Sequence, residues 1–396
     1  MGKQFRLYIS HRDAQIEGSA SVDLPAGPYA LLDALEKARV SENEPILLEM
    51  DSSRCDELAQ WFNGRESGRD TVQDVYRLNA FAEQMQKLDS WNIVALGGAL
   101  RIEAAKNANM PLARLCDLAD NLHLYNFANA SNDEQLGKFY VENDFLPEME
   151  NAPDSVIEKL DFEKIGREMR EVEGGVYLSG IQGYLVPSED IPETHNGMDM
   201  TPPKPDYTVL LQIGWPDCGD SGMLRLPAAE SELHAVLDEY GVSNWGSLVW
   251  RCADCKIPSM ADTFSTCENM AEINKAAKAL DGLTGIELST CKALISVMKP
   301  QDLTDALALI EVRHDYALER DFASPADVGM SRLQSALQQD EIELLAPHVN
   351  LYAYGQSAMK KYGMELTEYG GLDRWDGEPV LKQETEAPER GGMEMM

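Results

Sequence analysis

The sequence predicts an α+β protein built from two copies of one unit, each with small β-containing subdomains flanking a helical segment. Three observations predict this fold class. Short matches repeat between the two halves, strand-like alternation occurs near the start of each half, and apolar residues follow at helical spacing. With 396 residues, of which 44% are hydrophobic, the chain is long enough for several domains and apolar enough to bury a core.

The repeat consists of short matches that keep the same order in both halves. Leu24-Pro25-Ala26 recurs as Leu226-Pro227-Ala228, and the spacing between later matches shortens gradually, as small deletions in the second copy would cause. The later pairs include Asn79 with Asn274, Leu88 with Leu283, His123 with His314, Tyr125 with Tyr316, Gly166 with Gly355 and Gly174 with Gly363. A common order at a drifting spacing seldom arises by chance, so the halves are predicted to be copies of one unit.

The predicted strands lie near the two ends of each unit. Alternating apolar and polar residues predict a strand over Phe5–Ser10, with Tyr207–Ile213 as its counterpart in the second half, and another strand over Ile46–Met50. Val176–Leu178 and Tyr184–Val186, separated by Gly183, are typical of a hairpin that closes the first unit.

The predicted helices fill the space between these strands. Apolar residues three and four apart mark the helices, and Ser131-Asn132-Asp133-Glu134 has the pattern of a capping box before one of them. The predicted helices of the first unit are Tyr29–Val40, 75–88, Trp91–Lys106, Leu112–Leu122, one that follows the capping box and includes Leu136–Tyr140, and Phe162–Met169.

Composition between these elements predicts the domain boundaries. The first unit covers residues 1–187, with approximate subdomains 1–65, 66–128 and 129–187. Residues 188–205 are rich in proline and poor in apolar side chains, which is typical of a linker. A second, diverged unit then covers residues 206–375, and the polar, acidic tail at 376–396 is expected to be disordered.

The charge balance excludes several classes of protein. The chain carries 68 Asp and Glu residues against 34 Lys and Arg residues, a formal net charge of −34. Residues 1–200 hold 36 acids and 18 bases, and residues 201–396 hold 32 and 16, so both halves are acidic. This balance argues against a protein that binds nucleic acid directly or lies on an anionic membrane. It permits a protein that competes with nucleic acid for basic surfaces.

Targeting signals and cysteine usage indicate a cytoplasmic protein. The first residues lack the apolar core of a signal peptide, and no apolar stretch approaches the ~18 residues of a membrane span. The seven cysteines are odd in number and diluted over a long chain, which favours reduced thiols.

Catalytic motifs are scarce. The sequence contains no P-loop, no dinucleotide-binding glycine fingerprint, no H-E-x-x-H and no G-x-S-x-G. Cys252-x-x-Cys255, with His234 upstream and Cys267 downstream, could contribute to a zinc site, although no second C-x-x-C completes four ligands. The alternative, which we favour, is a pair of buried or partly exposed thiols at a strand end.

A second metal pattern involves Asp206, Asp254 and Lys256. Two carboxylates and a lysine could hold Mg²⁺ and activate water, as in a metal-dependent nuclease. Because such a match arises easily among 68 acids, and because a protein of this charge is poorly suited to approach DNA, we expect no enzyme activity and no cofactor.

The strongest chemical feature is the acidic segment, residues 133–173, in which thirteen carboxylates face five basic residues. Phe139, Tyr140, Phe145 and Leu146 are interleaved with these acids and can build a local core, so the segment is expected to be ordered. One interpretation is a solvated surface that aids solubility. The other is an ordered array of carboxylates in place of phosphates. The candidate partner-binding acids are Asp133, Glu134, Glu142, Asp144, Glu148, Glu150, Asp154, Glu158, Asp161 and Glu163.

The net charge is large enough for an array of carboxylates that takes the place of DNA phosphates. Duplex DNA carries roughly one charge per 1.7 Å of its axis, so a net charge of −34 equals that of about 17 base pairs, or ~58 Å of duplex. A folded array would hold these charges rigidly, and carboxylates can be neither cleaved nor methylated as DNA is.

Several segments resemble the ArdA family of antirestriction proteins, in the form found in Gram-positive mobile elements. The similarity covers most of residues 5–187, and its most specific part is the acidic stretch with QLGKFYVEN and LDFEKIGR. The second half resembles the family mainly because it matches the first half. The similar segments are Tyr29–Val40, 78–88, Asp133–Leu146, Leu160–Gly175 and Lys204–Leu211.

The resemblance implies an elongated protein that imitates bent duplex DNA and acts in the bacterial cytoplasm. Family members occupy the DNA-binding cleft of type I restriction-modification enzymes, between the specificity and modification subunits, and so protect incoming mobile DNA. They are not enzymes and need no cofactor. The family is usually single-unit and dimeric, so a tandem chain implies either a homodimer or an internal pseudo-dimer.

Two alternatives stay open at the level of sequence. The first is an acidic interaction module that inhibits another DNA-binding defence or regulatory protein. The second is a metal-dependent enzyme that uses one of the two metal patterns above.

Overall fold

The computed structural model describes residues 2–12, 18–42, 44–66, 69–147, 152–216 and 221–381. The fold is mixed α+β, which confirms the predicted fold class, whereas the elongated arrangement stays a prediction. The chain divides into two units, with the boundary between Lys204 and Pro205. In the described part of the chain, no helix combines the length and the apolar character that a membrane crossing requires.

The first unit contains six strands and eight helices among its described residues. The strands are β1 (Phe5–His11), β2 (Ser19–Leu24), β3 (Ile46–Asp51), β4 (Tyr125–Ala128), β5 (Val176–Tyr177) and β6 (Tyr184–Pro187). The helices are α1 (Pro28–Lys37), α2 (Asp56–Gly64), α3 (Val72–Met85), α4 (Ser90–Lys106), α5 (Ala113–Asp120), α6 (Asp133–Glu142), α7 (Asp154–Ile157) and α8 (Phe162–Glu173).

The first sheet carries the main core of this unit. Its order is β2-β1-β3, and both pairings are antiparallel. Phe5, Leu7 and Ile9 alternate along β1 and are fully buried, which confirms the strand that the alternation predicts. Strand β2 was not predicted, although its sequence SASVDL alternates polar and apolar residues and buries Val22 and Leu24.

The second sheet of the first unit has the order β4-β6-β5. Its last two strands confirm the predicted closing hairpin. Strand β4 was missed because four residues are too few to show a period. It forms the edge of the sheet and pairs antiparallel with β6.

The predicted helices of the first unit are confirmed with shifted ends, and two helices, α2 and the four-residue α7, were missed. Helix α2 spans nine residues, of which only Leu58 and Phe62 are buried, so its apolar spacing covers too short a stretch to stand out. Helix α6 does not begin as the capping pattern predicts. Asn132, not Ser131, is the N-cap, since its Oδ1 accepts a hydrogen bond from the backbone N–H of Gln135 at 2.9 Å.

The second unit repeats this order of elements. Its strands are β7 (Val209–Gly214), β8 (Ser221–Leu226), β9 (Val249–Cys255), β10 (Tyr316–Glu319), β11 (Glu365–Thr367) and β12 (Gly370–Arg374). Its described helices are α9 (Glu230–Glu239), α10 (Ala261–Thr266), α11 (Met270–Asp281), α12 (Gly285–Met298), α13 (Leu303–Glu311), α14 (Pro325–Ala336), α15 (Gln339–Leu345) and α16 (Leu351–Tyr362). Its sheets have the orders β8-β7-β9 and β10-β12-β11, which match those of the first unit strand for strand.

The sequence matches between the halves occupy equivalent structural positions. The Leu24–Pro25 and Leu226–Pro227 peptide bonds, one in each unit, are both cis. The backbone N–H two residues after each of these leucines donates to a buried asparagine: Ala26 N lies 2.8 Å from Asn79 Oδ1, and Ala228 N lies 2.9 Å from Asn274 Oδ1. The paired asparagines therefore hold the same turn in both units.

The segment predicted as a linker lies against the first unit. Ile191 is buried in its core, and Arg114 Nη1 donates to the carbonyl oxygen of Ile191 at 3.0 Å. Asp117 Oδ1 accepts hydrogen bonds from Thr194 Oγ1 and from His195 Nδ1, both at 2.7 Å. Burial alone would raise the pKa of Asp117, but these hydrogen bonds lower it below its ordinary value.

The first residues of the predicted tail, 376–381, are folded. Val380 is buried, and its backbone N–H donates to the carbonyl oxygen of Gly363 at 3.0 Å, so residues 376–381 belong to the folded second unit. The remaining residues of the predicted tail, 382–396, lie outside the described residues.

Candidate functional site

The acidic segment is built on a tightly packed pair of helices, α6 and α8. Gly137 in α6 faces Gly166 in α8 across the contact. A Cβ on Gly137 would lie 1.9 Å from the carbonyl oxygen of Phe162, and a Cβ on Gly166 would lie 1.9 Å from that of Asp133. The two backbones therefore touch, and this fixes the position of one helix relative to the other.

Asp133 ties the helix pair together. Its Oδ1 lies 2.9 Å from Arg170 Nε, its Oδ2 lies 3.2 Å from Arg170 Nη2, and Tyr177 Oη donates to Oδ1 at 2.8 Å. The hydrogen bonds from Arg170 and Tyr177 lower the pKa of Asp133 despite some desolvation. Asp133 stays a predicted partner-binding acid, but its charge is paired with Arg170 inside the unit.

Three of the other predicted acids lie on the two helices, and Asp144, Glu158 and Asp161 lie in the turns beside them. Glu134 and Glu142 share one face of α6 with Lys138, since residues four apart lie one turn above another. Glu163 lies in the first turn of α8. The exposed members of the predicted set are Glu134, Glu142, Asp144, Glu158, Asp161 and Glu163.

These exposed acids differ in how far local cations neutralise them. Glu134 Oε1 lies 2.6 Å from Lys138 Nζ, and Glu163 Oε1 lies 3.5 Å from Arg167 Nη2. Asp161 is the N-cap of α8 and accepts from the backbone N–H of Lys164 at 3.1 Å. Glu142, Asp144 and Glu158 form no ion pair with any described residue, so their charges face solvent.

Three predicted acids cannot be placed. Glu148 and Glu150 lie outside the described residues. Asp154 begins α7, but its side chain is not among those described.

The equivalent helix pair of the second unit has the same packing and a different charge. A Cβ on Gly355 in α16 would lie 1.6 Å from the carbonyl oxygen of Pro325 in α14, and one on Gly329 would lie 2.3 Å from that of Leu351. Residues 325–362 contain only four acids against three Lys and Arg residues. Between these two equivalent segments, the dense array of carboxylates therefore belongs to the first unit. The net charges of the two halves are similar and do not reveal this difference.

Each residue of the Asp206, Asp254 and Lys256 pattern has a partner inside the second unit. Asp206 Oδ1 lies 3.1 Å from Arg225 Nε, Asp254 accepts from Tyr207 Oη at 2.8 Å, and Lys256 Nζ donates to the carbonyl oxygen of Asp281 at 2.7 Å. Among the residues that the structure describes, no three His, Cys, Asp or Glu side chains come together in a way that could hold a metal ion.

The C-x-x-C pair lies at the end of β9, as we favoured. Cys252 and Cys255 are both buried, and Cys255 Sγ donates to the carbonyl oxygen of Ile257 at 3.0 Å. The hydrogen bond with Cys252, together with burial, raises the pKa of Cys255 well above its ordinary value. His234 is exposed on α9.

An open pocket that the sequence did not predict lies beside the acidic helices. The pocket has a volume of about 570 Å³ and is lined mainly by aromatic side chains from β4, α6 and the turn after α6. The aromatic residues of α6 and its following turn were predicted only as a local core, and Phe127 and Glu173 join them through the sheet and the end of α8. Its lining residues are Asn126, Phe127, Ala128, Phe139, Tyr140, Phe145, Glu173, Val186 and Pro187.

Comparison with known protein families, curated proteins and solved structures finds no match to this chain.

Proposed function

We propose that this protein is a non-enzymatic inhibitor that presents the acidic helices of its first unit to the basic DNA-binding cleft of a type I restriction-modification enzyme. Acting in the bacterial cytoplasm, it would protect incoming mobile DNA, as the resemblance to the ArdA family suggests. One observation carries the proposal: exposed carboxylates project from a helix pair whose backbones touch at two glycines.

The helix pair supports the proposal because it fixes where the charges stand. The Gly137–Gly166 contact and the Asp133–Arg170 ion pair restrain both helices, so little conformational entropy is lost when a partner binds. The unpaired Glu142, Asp144 and Glu158 keep their full charge for that partner. Lysine and arginine side chains that normally bind phosphates would bind these carboxylates with the same chemistry.

The binding energy in this proposal is collective. An exposed ion pair contributes only ~0.3–1 kcal/mol, so no single carboxylate decides the affinity. Four such contacts together contribute about 1–4 kcal/mol, which corresponds to roughly a 10- to 1000-fold change in Kd.

The experiment compares two variants with the same change in net charge. The first replaces four exposed acids of the acidic segment, Glu142→Gln, Asp144→Asn, Glu158→Gln and Glu163→Gln. The control replaces four exposed acids of the second unit, Asp238→Asn, Glu239→Gln, Asp340→Asn and Glu343→Gln. Binding to the purified specificity and modification subunits is measured by calorimetry at low salt.

The proposal predicts that the first variant binds at least tenfold more weakly than wild type, whereas the control stays within about threefold. An equal loss in both variants would show that total charge matters and that the acidic segment does not. If wild-type protein fails to bind the type I enzyme even at low salt, the proposal is wrong. The acidic helices would then serve as a module against another DNA-binding defence or regulatory protein.

A further inference from the structure

We propose that the aromatic pocket beside the acidic helices receives an arginine side chain of the partner, with the guanidinium held between aromatic rings and the Glu173 carboxylate. This inference rests on the proposed function for the identity of the partner. The chemistry of the pocket itself is independent of that identity.

The pocket presents aromatic faces to solvent. Phe145 is 57% exposed and Phe127 is 40% exposed, although large aromatic side chains are normally buried. Phe139, Tyr140 and Phe145 form a mutual cluster, with ring centroids 5.7 Å apart for Phe139 and Phe145 and 5.8 Å apart for Tyr140 and Phe145. Exposed rings in one concave site indicate a binding surface.

Backbone and ring contacts hold these side chains in place. Asp144 has a positive φ of 56°, which turns the chain so that the backbone N–H of Phe145 donates to the carbonyl oxygen of Tyr140 at 3.0 Å. On the opposite wall, Trp91 packs edge-on against Phe127 with ring centroids 4.6 Å apart. The pocket is therefore preformed and needs no large rearrangement to bind a ligand.

The electrostatics of the pocket favour a cation. Its only charged lining residue is Glu173, whose Oε2 accepts from Tyr140 Oη at 2.5 Å, and no cationic side chain is among the described residues that line it. The neighbouring acids of α6 and α8 add negative potential. A guanidinium suits this combination best, because it is planar, stacks on aromatic rings and donates to a carboxylate in a fixed fork.

The second unit has an arginine at the position that corresponds to Tyr140 of the first unit. Arg332 follows Gly329 by three residues, as Tyr140 follows Gly137, and Tyr362 precedes Gly363 as Glu173 precedes Gly174. The Arg332 guanidinium lies over the Tyr362 ring, 4.4 Å from its centroid.

Arg332 also lines a pocket of the second unit together with Asp373 and Glu319. In the second unit an arginine therefore lies over an aromatic ring and beside a pocket that contains carboxylates. In the first unit the aromatic rings and a carboxylate are present, and the arginine is not supplied by the described lining residues.

Other ligands fit the pocket less well. A lysine ammonium is compact and strongly hydrated, and it lacks a planar face to lie against the rings. The base of a nucleotide could stack on the rings, but the phosphates of the nucleotide would be repelled by the surrounding acids.

The first experiment measures the pocket alone and does not involve the restriction enzyme. Full-length protein with ¹³C-labelled phenylalanine rings contains only nine such residues, so Phe127, Phe139 and Phe145 can be followed by NMR. The probes are N-acetyl-arginine amide, N-acetyl-lysine amide and adenosine. We expect saturable shifts of these three residues with the arginine probe, with an affinity at least threefold higher than for the lysine probe.

Two variants and one control test the assignment. Phe145→Leu and Glu173→Gln should each weaken binding of the arginine probe at least threefold, whereas Tyr352→Leu, at a 51% exposed tyrosine of the second unit, should leave it unchanged. Equal shifts with lysine and arginine, preferential binding of adenosine, or no shift at all would each overturn the inference. None of these results concerns the type I enzyme, so the proposed function would be unaffected.

The second experiment connects the pocket to the partner. Phe145→Leu leaves the net charge unchanged, so a loss of at least fivefold in affinity for the type I enzyme would place the pocket in the interface. If this variant binds the type I enzyme as tightly as wild type does, the pocket does not lie in the interface. Binding of the wild-type protein to the enzyme would still support the proposed function.

Discussion

Asp133 shows that a carboxylate in a strongly acidic helix can help to hold the fold together. Its neighbour Glu134 has the same charge, and nothing in the sequence distinguishes them. The difference arises from Arg170 and Tyr177, which lie on other elements and reach Asp133 only after α8 and β5 have packed. A sequence therefore predicts where acids are concentrated, and the tertiary contacts decide which of them stay free.

The Asp133 ion pair makes a pH-dependent contribution to stability. Because the pKa of Asp133 is lowered in the folded state, its contribution is present above the unfolded-state value of about 3.9 and is lost as the pH falls through the folded-state pKa. We expect Asp133→Asn to reduce the free energy of unfolding by about 1 kcal/mol at pH 7. Urea unfolding followed by circular dichroism at several pH values measures this.

The difference between wild type and Asp133→Asn should be constant from pH 7 to about pH 5 and should shrink below about pH 4. A difference that persists unchanged to pH 2 would show that the aspartate contributes by shape and not by charge.

The paired asparagines show that a match between repeats can report a structural role. Asn274 Oδ1 accepts from Ala228 N, and its Nδ2 donates to the carbonyl oxygen of Ala228, with both distances 2.9 Å. Asn79 makes the equivalent bond to Ala26 N. The sequence indicated that these residues correspond, but it could not show that each satisfies the backbone of a distant turn.

Asn274→Ala should destabilise the second unit, because it leaves a buried backbone N–H and C=O without partners. The expected cost is about 2–3 kcal/mol in the free energy of unfolding. Thermal unfolding followed by circular dichroism measures it, with the exposed Asn109→Ala as a control that should change stability by less than about 0.5 kcal/mol. Equal stability of Asn274→Ala and wild type would contradict the assigned role.

At the scale of elements, the helix pair depends on residues without side chains. The sequence match between Gly166 and Gly355 indicated an equivalent position, yet the reason for glycine became visible only in the contact between α6 and α8. The partner glycine of each pair, Gly137 or Gly329, was not singled out, because a glycine inside a helical pattern gives no signal of what it faces.

Gly137→Ala should separate the acidic helices, since its Cβ would overlap the carbonyl oxygen of Phe162 at 1.9 Å. We expect a loss of at least 1–3 kcal/mol, as for overpacked sites. Hydrogen exchange followed by mass spectrometry should show faster exchange in the peptides of α6 and α8. The control is Gly64→Ala at the end of α2, where a Cβ meets nothing within 4 Å. Unchanged exchange in Gly137→Ala would contradict the close contact.

Elements of low apolar content were the hardest to predict. The helices of the middle segment have long apolar stripes, and their existence followed from the sequence. Strand β4 is too short to show a period, and the proline-rich segment after β6 is typical of a linker by composition alone. Its attachment depends on a few specific contacts, such as Asp117 with Thr194 and His195, which composition does not reveal.

At the scale of the whole molecule, the two units share a topology and differ in surface chemistry. Formal charge divides almost evenly between the halves. Helices α6 and α8 carry seven acids against four bases, while the equivalent α14 and α16 carry one acid against three bases. Duplication therefore preserved the scaffold, with its paired glycines and asparagines, while the surfaces diverged.

A distributed charge surface should lose function gradually. Each single isostere, such as Glu142→Gln or Glu158→Gln, should weaken binding to the type I enzyme by no more than about fivefold, and combinations should add in free energy because the sites are separated. Affinity is measured by calorimetry for each single and combined variant. An abrupt loss of all binding from one substitution would indicate a single specific contact in place of phosphate-like mimicry.

Competition with DNA is the most direct test of the central claim. A fluorescent duplex that carries the recognition sequence is bound to the purified specificity and modification subunits at low salt, and the protein is titrated in while anisotropy is recorded. The account predicts complete displacement of the duplex, with a midpoint that rises in proportion to the DNA concentration. A ternary complex, in which the duplex stays bound while the protein also binds, would contradict it.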